Sequence, residues 1–401
     1  MSSDDIVIVA ATRTPFGKFG GVLRDVSAVD LGVHVVRHLL DESGLASEQV
    51  DELDFGCCIP AETQGVAAVV ARQILLKAGL PADRPSVTID RACCSGLSAG
   101  QWAWRSIRLG DAGLAVAGGT DNMSAAPHLV RGLRWGVKIG SSELEDPLYR
   151  MEYKAFNPVS VDAGEVALEY GEDRDAQDRW ALLSQHRYQQ ALAAGRLKDE
   201  ISPMHLPGKR GDGVLFEADE LPRPDSKIES LARLPTVYGS PTVTPGNAPG
   251  LDAGAAGLIL ASRGKAEDLG LDILGRLVLV SSTALAPRQI ASVPAAAIQK
   301  ALSAAGWQLS DLDLIEINEA FAAMPLVSSR ILADGDEGRL TSLREIINVN
   351  GGAIAIGHPI GASGARILLT LIYELRRRGG GRGAAAICGG LAQGECALVE
   401  V

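Results

Sequence analysis

The chain has 401 residues, 46% of them apolar and 22% charged, enough for a large buried core and for more than one domain or half-domain. Its 38 Lys and Arg stand against 49 Asp and Glu, a net charge of −11, which argues against non-specific nucleic-acid or acidic-membrane binding as the main activity. Any anionic ligand has to be held by individually placed groups.

Strand-like and helix-like segments alternate from the start. A strand over Ile6–Ala10, a helix from about Asp30 to Ser43, a strand over Leu53–Cys57 and a helix around Ala67–Ala78 come first. A strand over Ser86–Asp90, a helix from Gly96 to Leu109 and a strand over Leu114–Ala117 follow. This βαβα order predicts a mainly parallel sheet covered by helices. From Arg276 the order recurs: RLVLVSSTAL, a helix through AAAIQKALSAAG, LDLIEI, an apolar helix after Asn318, IINVN, a helix from Ala362 to Arg376, AAAICGG and a last strand, CALVEV. Local echoes support a duplication. Glu52-Leu53-Asp54-Phe55 parallels Asp311-Leu312-Asp313-Leu314, and RLGDAGLAVAGG parallels RRGGGRGAAAICGG.

In the second half AICGG runs almost at once into CALVEV, whereas in the first half well over a hundred residues separate Gly119 from AGLILAS. The intervening piece carries one polar helix, AQDRWALLSQHRYQQALAAG, and continues through the Pro-, Gly- and charge-rich PGKRGDG and LPRPDSK. It reads as a loop-rich cap.

No uncharged apolar run approaches the roughly 18 to 20 residues of a membrane span, and MSSDDIVIVAATRTP passes from acidic residues straight into a strand. Neither a signal peptide nor a transmembrane segment is expected, and CALVEV is not a peroxisomal address. Six cysteines, with Cys57–Cys58 and Cys93–Cys94 adjacent, match neither a disulfide framework nor C-x-x-C zinc spacing and suit a reducing cytoplasm. His34 and His38 lie four apart on a helix but lack the glutamate of H-E-x-x-H, so no metal site is expected. No Gly-rich phosphate loop occurs in the required strand-to-helix context. Cys57, Cys58 and Cys396 read as packing residues.

In each half the third strand leads into a special turn that starts a helix: VTID into RACCSGLSAG, and IINVN into GGAIAIGHPIGASGAR. A helix N-terminus presents free N–H groups and a positive dipole end, which favours a thiolate or an enolate oxygen. If the halves pack with approximate two-fold symmetry, a cysteine from one meets a histidine from the other. A free cysteine is only a few per cent thiolate at neutral pH, so such a pairing is a physically sensible way to make a nucleophile.

RACCSGLSAG, GGTDNMSAAPH, NEAFAA, NVNGGAIAIGHPIGASGAR and the terminal Cys388 motif, in this order and spacing, resemble the thiolase family. The resemblance spans nearly the whole chain, from TRTPFGKFGG to the last strand. It implies two similar βαβαβαββ halves packed as a layered α/β/α/β/α sandwich with an inserted loop lobe. Residues 1–120 plus 249–275 would form the N-terminal half, 121–248 the inserted CoA-binding lobe and 276–401 the C-terminal half.

The implied activity is acyl transfer between CoA thioesters through a cysteine acyl-enzyme, as in β-oxidation or the reverse condensation. Coenzyme A would be a substrate, with no permanently bound cofactor, and a homodimer or homotetramer would be the working form, with the apolar VTID strand suited to an interface. The family's Cys-x-Ser-Gly-Leu selects Cys93 as nucleophile and leaves Cys94 at the variable position. His358 would take its proton, and Cys388 would serve as acid/base at the substrate α-carbon. Asn318 with His358 would support one oxyanion, and the N–H groups of Cys93 and Gly390 the other. For CoA, Arg223 and Ser230 match nucleotide contacts, while Tyr238 and Ala248 fall near the pantetheine.

Three departures qualify the match. CGGLAQG puts Leu391 and Ala392 where the family has glycine, which should narrow the pocket or shift the loop. Pro245-Gly-Asn-Ala-Pro249-Gly lacks the family's serine contact to the pantetheine. Pro158-Val159-Ser160 replaces the His-Met-Gly of acetoacetyl-CoA-specific members. Two other readings stay open at this stage, a thiolase-like acyl-CoA-binding scaffold without turnover and a ketoacyl-synthase-like condensing enzyme.

Overall fold

The computed structural model describes residues 5–58, 68–149, 153, 155–207 and 213–401. The first half runs β1 (Ile6–Arg13), α1 (Ala28–Ser43), β2 (Glu52–Gly56), α2 (Val70–Ala78), β3 (Ser86–Ile89), α3 (Ser95–Leu109) and β4 (Leu114–Asn122). An insert follows with α4 (Val159–Glu169), α5 (Arg174–Ala193), a hairpin of β5 (Met204–Leu206) and β6 (Val214–Phe216), and α6 (Ile228–Ala232). The chain returns through β7 (Ala253–Ser262) and α7 (Arg263–Asp268). The second half runs β8 (Gly275–Ala284), α8 (Val293–Ala305), β9 (Leu314–Ile317), α9 (Ala323–Ala333), α10 (Glu337–Ile346), α11 (Ala353–Ile356), α12 (Ile360–Arg377), β10 (Arg382–Gly389) and β11 (Gln393–Glu400). Residues 67 and 208–212, within the expected second helix and PGKRGDG, lie outside the described residues.

Strand order is β3-β2-β4-β7-β1-β8-β11-β10-β9. The first half supplies β3-β2-β4-β7-β1, and the second mirrors its last four strands as β8-β11-β10-β9 with no counterpart of β3, the two meeting where Val7 pairs with Arg276 and Ile8 with Gly275. The sheet is not mainly parallel, which corrects the sequence-based expectation. β2 pairs in parallel with β3 and β4, and β9 with β10. β7, β1, β8 and β11 make antiparallel pairs. Only strands linked through a crossover helix need to run parallel, and β11 returns from β10 through a tight turn without one.

Two helices fill the space between the halves. α3 and α12 pack on each other; α3 also touches β2 and β4, and α12 touches β9, β10 and β4. α1 and α2 cover the outer side of the first half, and α8 the outer side of the second. α12 is buried at every position from Ile360 to Ile372, as a helix enclosed on all sides must be. The two helices approach closely because side chains are missing at the crossing. A Cβ on Gly96 would lie 2.6 Å from Gly361 O, and one on Gly364 would lie 2.4 Å from Leu97 N.

Three further expectations change. IINVN is not a strand: α10 runs to Ile346, and Ile347 makes only an isolated parallel bridge to Ile315. The Asn348 side chain takes over the pairing, accepting from Ile317 N (2.8 Å) and donating to Ile317 O (2.8 Å). The insert is less loop-like than its composition suggests, since α4 forms beside α5. The echoes also shift in register. Asp51 N donates to Leu114 O (2.9 Å) as Asp313 N does to Arg382 O (2.8 Å), while Asp54 pairs with Ala117 and Glu316 with Ala385. Asp54 therefore corresponds to Glu316, and Cys388 to Thr120.

Candidate active site

The turn before α3 is tightly wired. Ala92 has φ +49, a left-handed conformation that costs a non-glycine residue roughly 1–2 kcal/mol. It is held by Asp90 Oδ1, which accepts from Ala92 N (3.0 Å), and by Ser95 Oγ, which accepts from Arg91 N (2.8 Å) and donates to Ala92 O (2.6 Å). Arg91 reaches across the halves to Glu395 on β11 (2.9 Å). The two cysteines consequently part company. Cys93 faces a cavity, whereas Cys94 is fully buried, its Sγ 3.7 Å from Ile387 O.

His358 sits two residues before α12, as Cys93 sits two before α3. Its Nε2 lies 3.2 Å from Cys93 Sγ and its Nδ1 2.6 Å from Ser363 Oγ. Ser363 Oγ donates its one proton to Pro359 O (2.8 Å), so it accepts from Nδ1–H. That assignment leaves Nε2 as the acceptor facing the thiol. The turn is fixed by two carboxylates: Asp252 Oδ2 accepts from His358 N (2.6 Å), and Asp121 Oδ2 accepts from Gly361 N (2.5 Å).

Burial keeps this pair neutral at rest. Burial pushes the Cys93 thiol up to about 12, with Asp121 and Asp90 adding to the rise. Burial pulls His358 down to about 3, with Arg366 contributing. Proton transfer from Sγ to Nε2 is therefore uphill until charge moves onto a substrate, and the N-termini of α3 and α12 favour the anion that then develops. Burial also holds the Cys388 thiol well above its usual range, and Cys93 adds to that.

Cys388, Gly389 and Gly390 line the same cavity as Cys93 and His358. The expectation for Leu391 and Ala392 is corrected: neither lines the cavity. Both adopt left-handed backbone, φ +58 and +56, so the loop keeps a glycine-like path and stores strain instead of narrowing the site. Asn318 is fully buried just after β9; its Oδ1 accepts from Arg366 Nη2 (3.2 Å), and its Nδ2 has no partner among the described residues. It does not line the cavity.

The cavity measures about 350 Å³, and Tyr238, Ala248, Pro245 and Pro249 belong to its walls. Arg223 and Ser230 are exposed outside it. Ser363, Asp252 and Asp121 were not singled out from the sequence, although Ser363 falls inside the quoted GASGAR and Asp121 inside GGTDNMSAAPH. Tyr153 was not singled out either. Its Oη would lie 2.0 Å from a Cβ on Gly390, so any side chain at 390 would displace it. Among the described residues no group of three His, Cys, Asp or Glu could hold a metal ion, and no helix is long and apolar enough to cross a membrane.

The family models for the thiolase N-terminal and C-terminal domains match residues 6–264 and 271–401. An acetyl-CoA acetyltransferase of Pseudomonas aeruginosa is 43% identical over 97% of this chain and 98% of its own. One from Cupriavidus necator is 42% identical over 99% of both. Human mitochondrial 3-ketoacyl-CoA thiolase superposes with a TM-score of 0.93 at 36% identity over 100% of both chains. Its complex with CoA gives 0.92 at 36% identity, covering 99% of this chain and 98% of that one.

Proposed function

We infer that this chain, which belongs to the thiolase family, is an acyltransferase that cleaves 3-oxoacyl-CoA to acetyl-CoA and a shortened acyl-CoA, or runs the reverse condensation, through an acyl-enzyme on Cys93. The observation that carries the residue-level reading is the 3.2 Å approach of His358 Nε2 to Cys93 Sγ, with Cys388 in the same cavity wall.

In the cleavage direction Cys93 Sγ attacks the 3-keto carbon as its proton passes to His358 Nε2. The N–H groups of Cys93 and Gly390 face the oxygen that becomes an oxyanion. Collapse breaks the bond between the 2- and 3-carbons; the acetyl-CoA enolate leaves and takes a proton at its α-carbon from Cys388. Asn318, whose unpartnered Nδ2 lies off the cavity wall, acts with His358 by holding the water or donor that supports the enolate oxygen. A second CoA thiol then displaces the acyl group from Cys93.

Residues 121–248 form the lobe that holds CoA, with Tyr238 and Ala248 along the pantetheine and Arg223 and Ser230 at the nucleotide. The working form is a homo-oligomer. The half-buried edge strand β3 and the exposed row Leu133, Trp135, Val137 and Ile139 are the surfaces that support this. Six free thiols support a reducing, cytoplasmic setting.

The test is to incubate the protein with acetoacetyl-CoA and a longer 3-oxoacyl-CoA, with and without free CoA, and to follow acyl mass and products. Acyl mass on the Cys93 peptide and CoA-dependent release of acetyl-CoA are expected. Absence of an adduct at every chain length sinks the reading.

A further inference from the structure

Gly390 is glycine for a reason other than its backbone. Its φ lies outside the left-handed region, so the conformation does not call for glycine. What a Cβ there would strike is the hydroxyl of Tyr153, with Ala92 Cβ 3.4 Å from the same point. Tyr153 Oη therefore rests over Gly390 Cα, where a side chain would project, and close to the Ala92 methyl. Gly390 N is bonded to that Cα, and Cys93 N follows Ala92 directly in the chain. The hydroxyl thus stands at the two segments whose N–H groups bracket the oxyanion, in a cavity wall shared with Cys93, His358 and Cys388.

Thr244 brings a hydroxyl to the same wall, but its Oγ1 already accepts from Gly246 N (3.1 Å). Tyr153 Oη has no hydrogen-bond partner among the described residues. Burial holds its phenol above the usual range, with Cys93, Asp90 and Cys58 adding to the rise. It keeps its proton at neutral pH and is available as a donor. A donor fixed beside a place where negative charge develops gains strength as that charge grows.

We propose that Tyr153 Oη donates a third hydrogen bond to the oxyanion formed on the carbonyl that Cys93 attacks, beside the N–H groups of Cys93 and Gly390. As the Sγ–C bond forms, the carbonyl π pair moves onto oxygen and meets the phenol O–H. When the pair returns, a carbon–carbon bond breaks in cleavage, or a carbon–sulfur bond in thioester exchange, and the phenol keeps its proton. This rests on the thiolase reading and adds a catalytic residue to the same site.

Tyr153→Phe keeps the ring and removes the hydroxyl alone. The full-length protein and this variant are compared in two reactions: CoA-dependent cleavage of acetoacetyl-CoA and 3-oxohexanoyl-CoA, and exchange of labelled CoA into acetyl-CoA and butyryl-CoA. Exchange passes through the oxyanion at Cys93 but forms no enolate. With two backbone donors left, kcat should fall about 10- to 100-fold, at or below the roughly 10²–10³-fold cost of losing one such donor. The factor should be the same in both reactions, with KM little changed and the thermal melt matching the wild type. Four results overturn the proposal. An unchanged kcat in both reactions removes the hydroxyl from the chemistry, and a loss confined to cleavage places it at the enolate oxygen. A rise in KM alone makes it a binding group, and a faster variant makes it an obstruction. Acyl mass on Cys93 of the wild type checks the thiolase reading separately.

Discussion

Cys93 and His358 occupy the same place in two copies of one turn. Each precedes its central helix by two residues, and each lies three before the glycine, Gly96 or Gly361, at the helix crossing. The copies have diverged in how they are braced. The cysteine turn is held by Ala92 in left-handed backbone and by Ser95, while the histidine turn is held by Asp252, Asp121 and Ser363. The strands beneath differ likewise. Glu316 meets Arg366 (3.3 Å), whereas its counterpart Asp54 is fully buried with neither carboxyl oxygen hydrogen-bonded to a partner among the described residues. On the proposed reading, duplication supplied two equivalent stages, and side-chain divergence made one the nucleophile and the other its base.

The largest test of that division removes the nucleophile. Cys93→Ala should abolish the acyl adduct and lower turnover by about 10⁴-fold or more. Cys94→Ala should keep most activity and lose about 1 kcal/mol of stability, read by mass spectrometry and urea unfolding. Ser363→Ala removes the acceptor that fixes Nδ1–H. Turnover should fall roughly ten- to a hundredfold, less than the ~10⁴-fold cost of mis-orienting a catalytic histidine by changing an ionised partner.

Gly364→Ala attacks the crossing itself and should cost about 1–3 kcal/mol in urea unfolding. Asp54→Asn probes the asymmetry beneath. Burial raises Asp54 to about 9, with Glu52 adding to it, so the folded state keeps a proton that the unfolded chain releases. That contribution is fully present below pH ~4 and lost as pH rises through about 9. Urea unfolding at pH 5 and 9 should show the variant gaining on the wild type at the higher pH. Leu391→Gly should change stability by no more than about 1 kcal/mol and leave kcat unchanged, because the side chain lies off the cavity wall.

The repeat and the reactive turns were legible because glycine-rich turns and alternating elements leave marks in local sequence. RACCSGLSAG posed a choice between two thiols, and the geometry separates them by facing, Cys93 into the cavity and Cys94 against Ile387. What escaped the sequence were contacts made between distant segments. Asp121 acts on the histidine turn from β4 and Asp252 from the residue just before β7, and no spacing rule links them to His358. IINVN looked like a strand because Ile-Ile-x-Val is strand-like composition; Asn348 met the pairing demand with a side chain, which periodicity cannot register. The sheet's direction was misjudged because helix and strand alternation speaks only for strands joined by crossovers.

The glycine-lined crossing of α3 and α12 has one more consequence. On the proposed reading neither half alone can activate the thiol, because His358 and Ser363 come from the second half while Cys93 and the two carboxylates that fix the histidine turn, Asp121 and Asp252, come from the first. Chemical competence is thus a late readout of assembly. During refolding, the accelerated reactivity of Cys93 toward acyl donors should appear only when the two halves dock, after most secondary structure has formed.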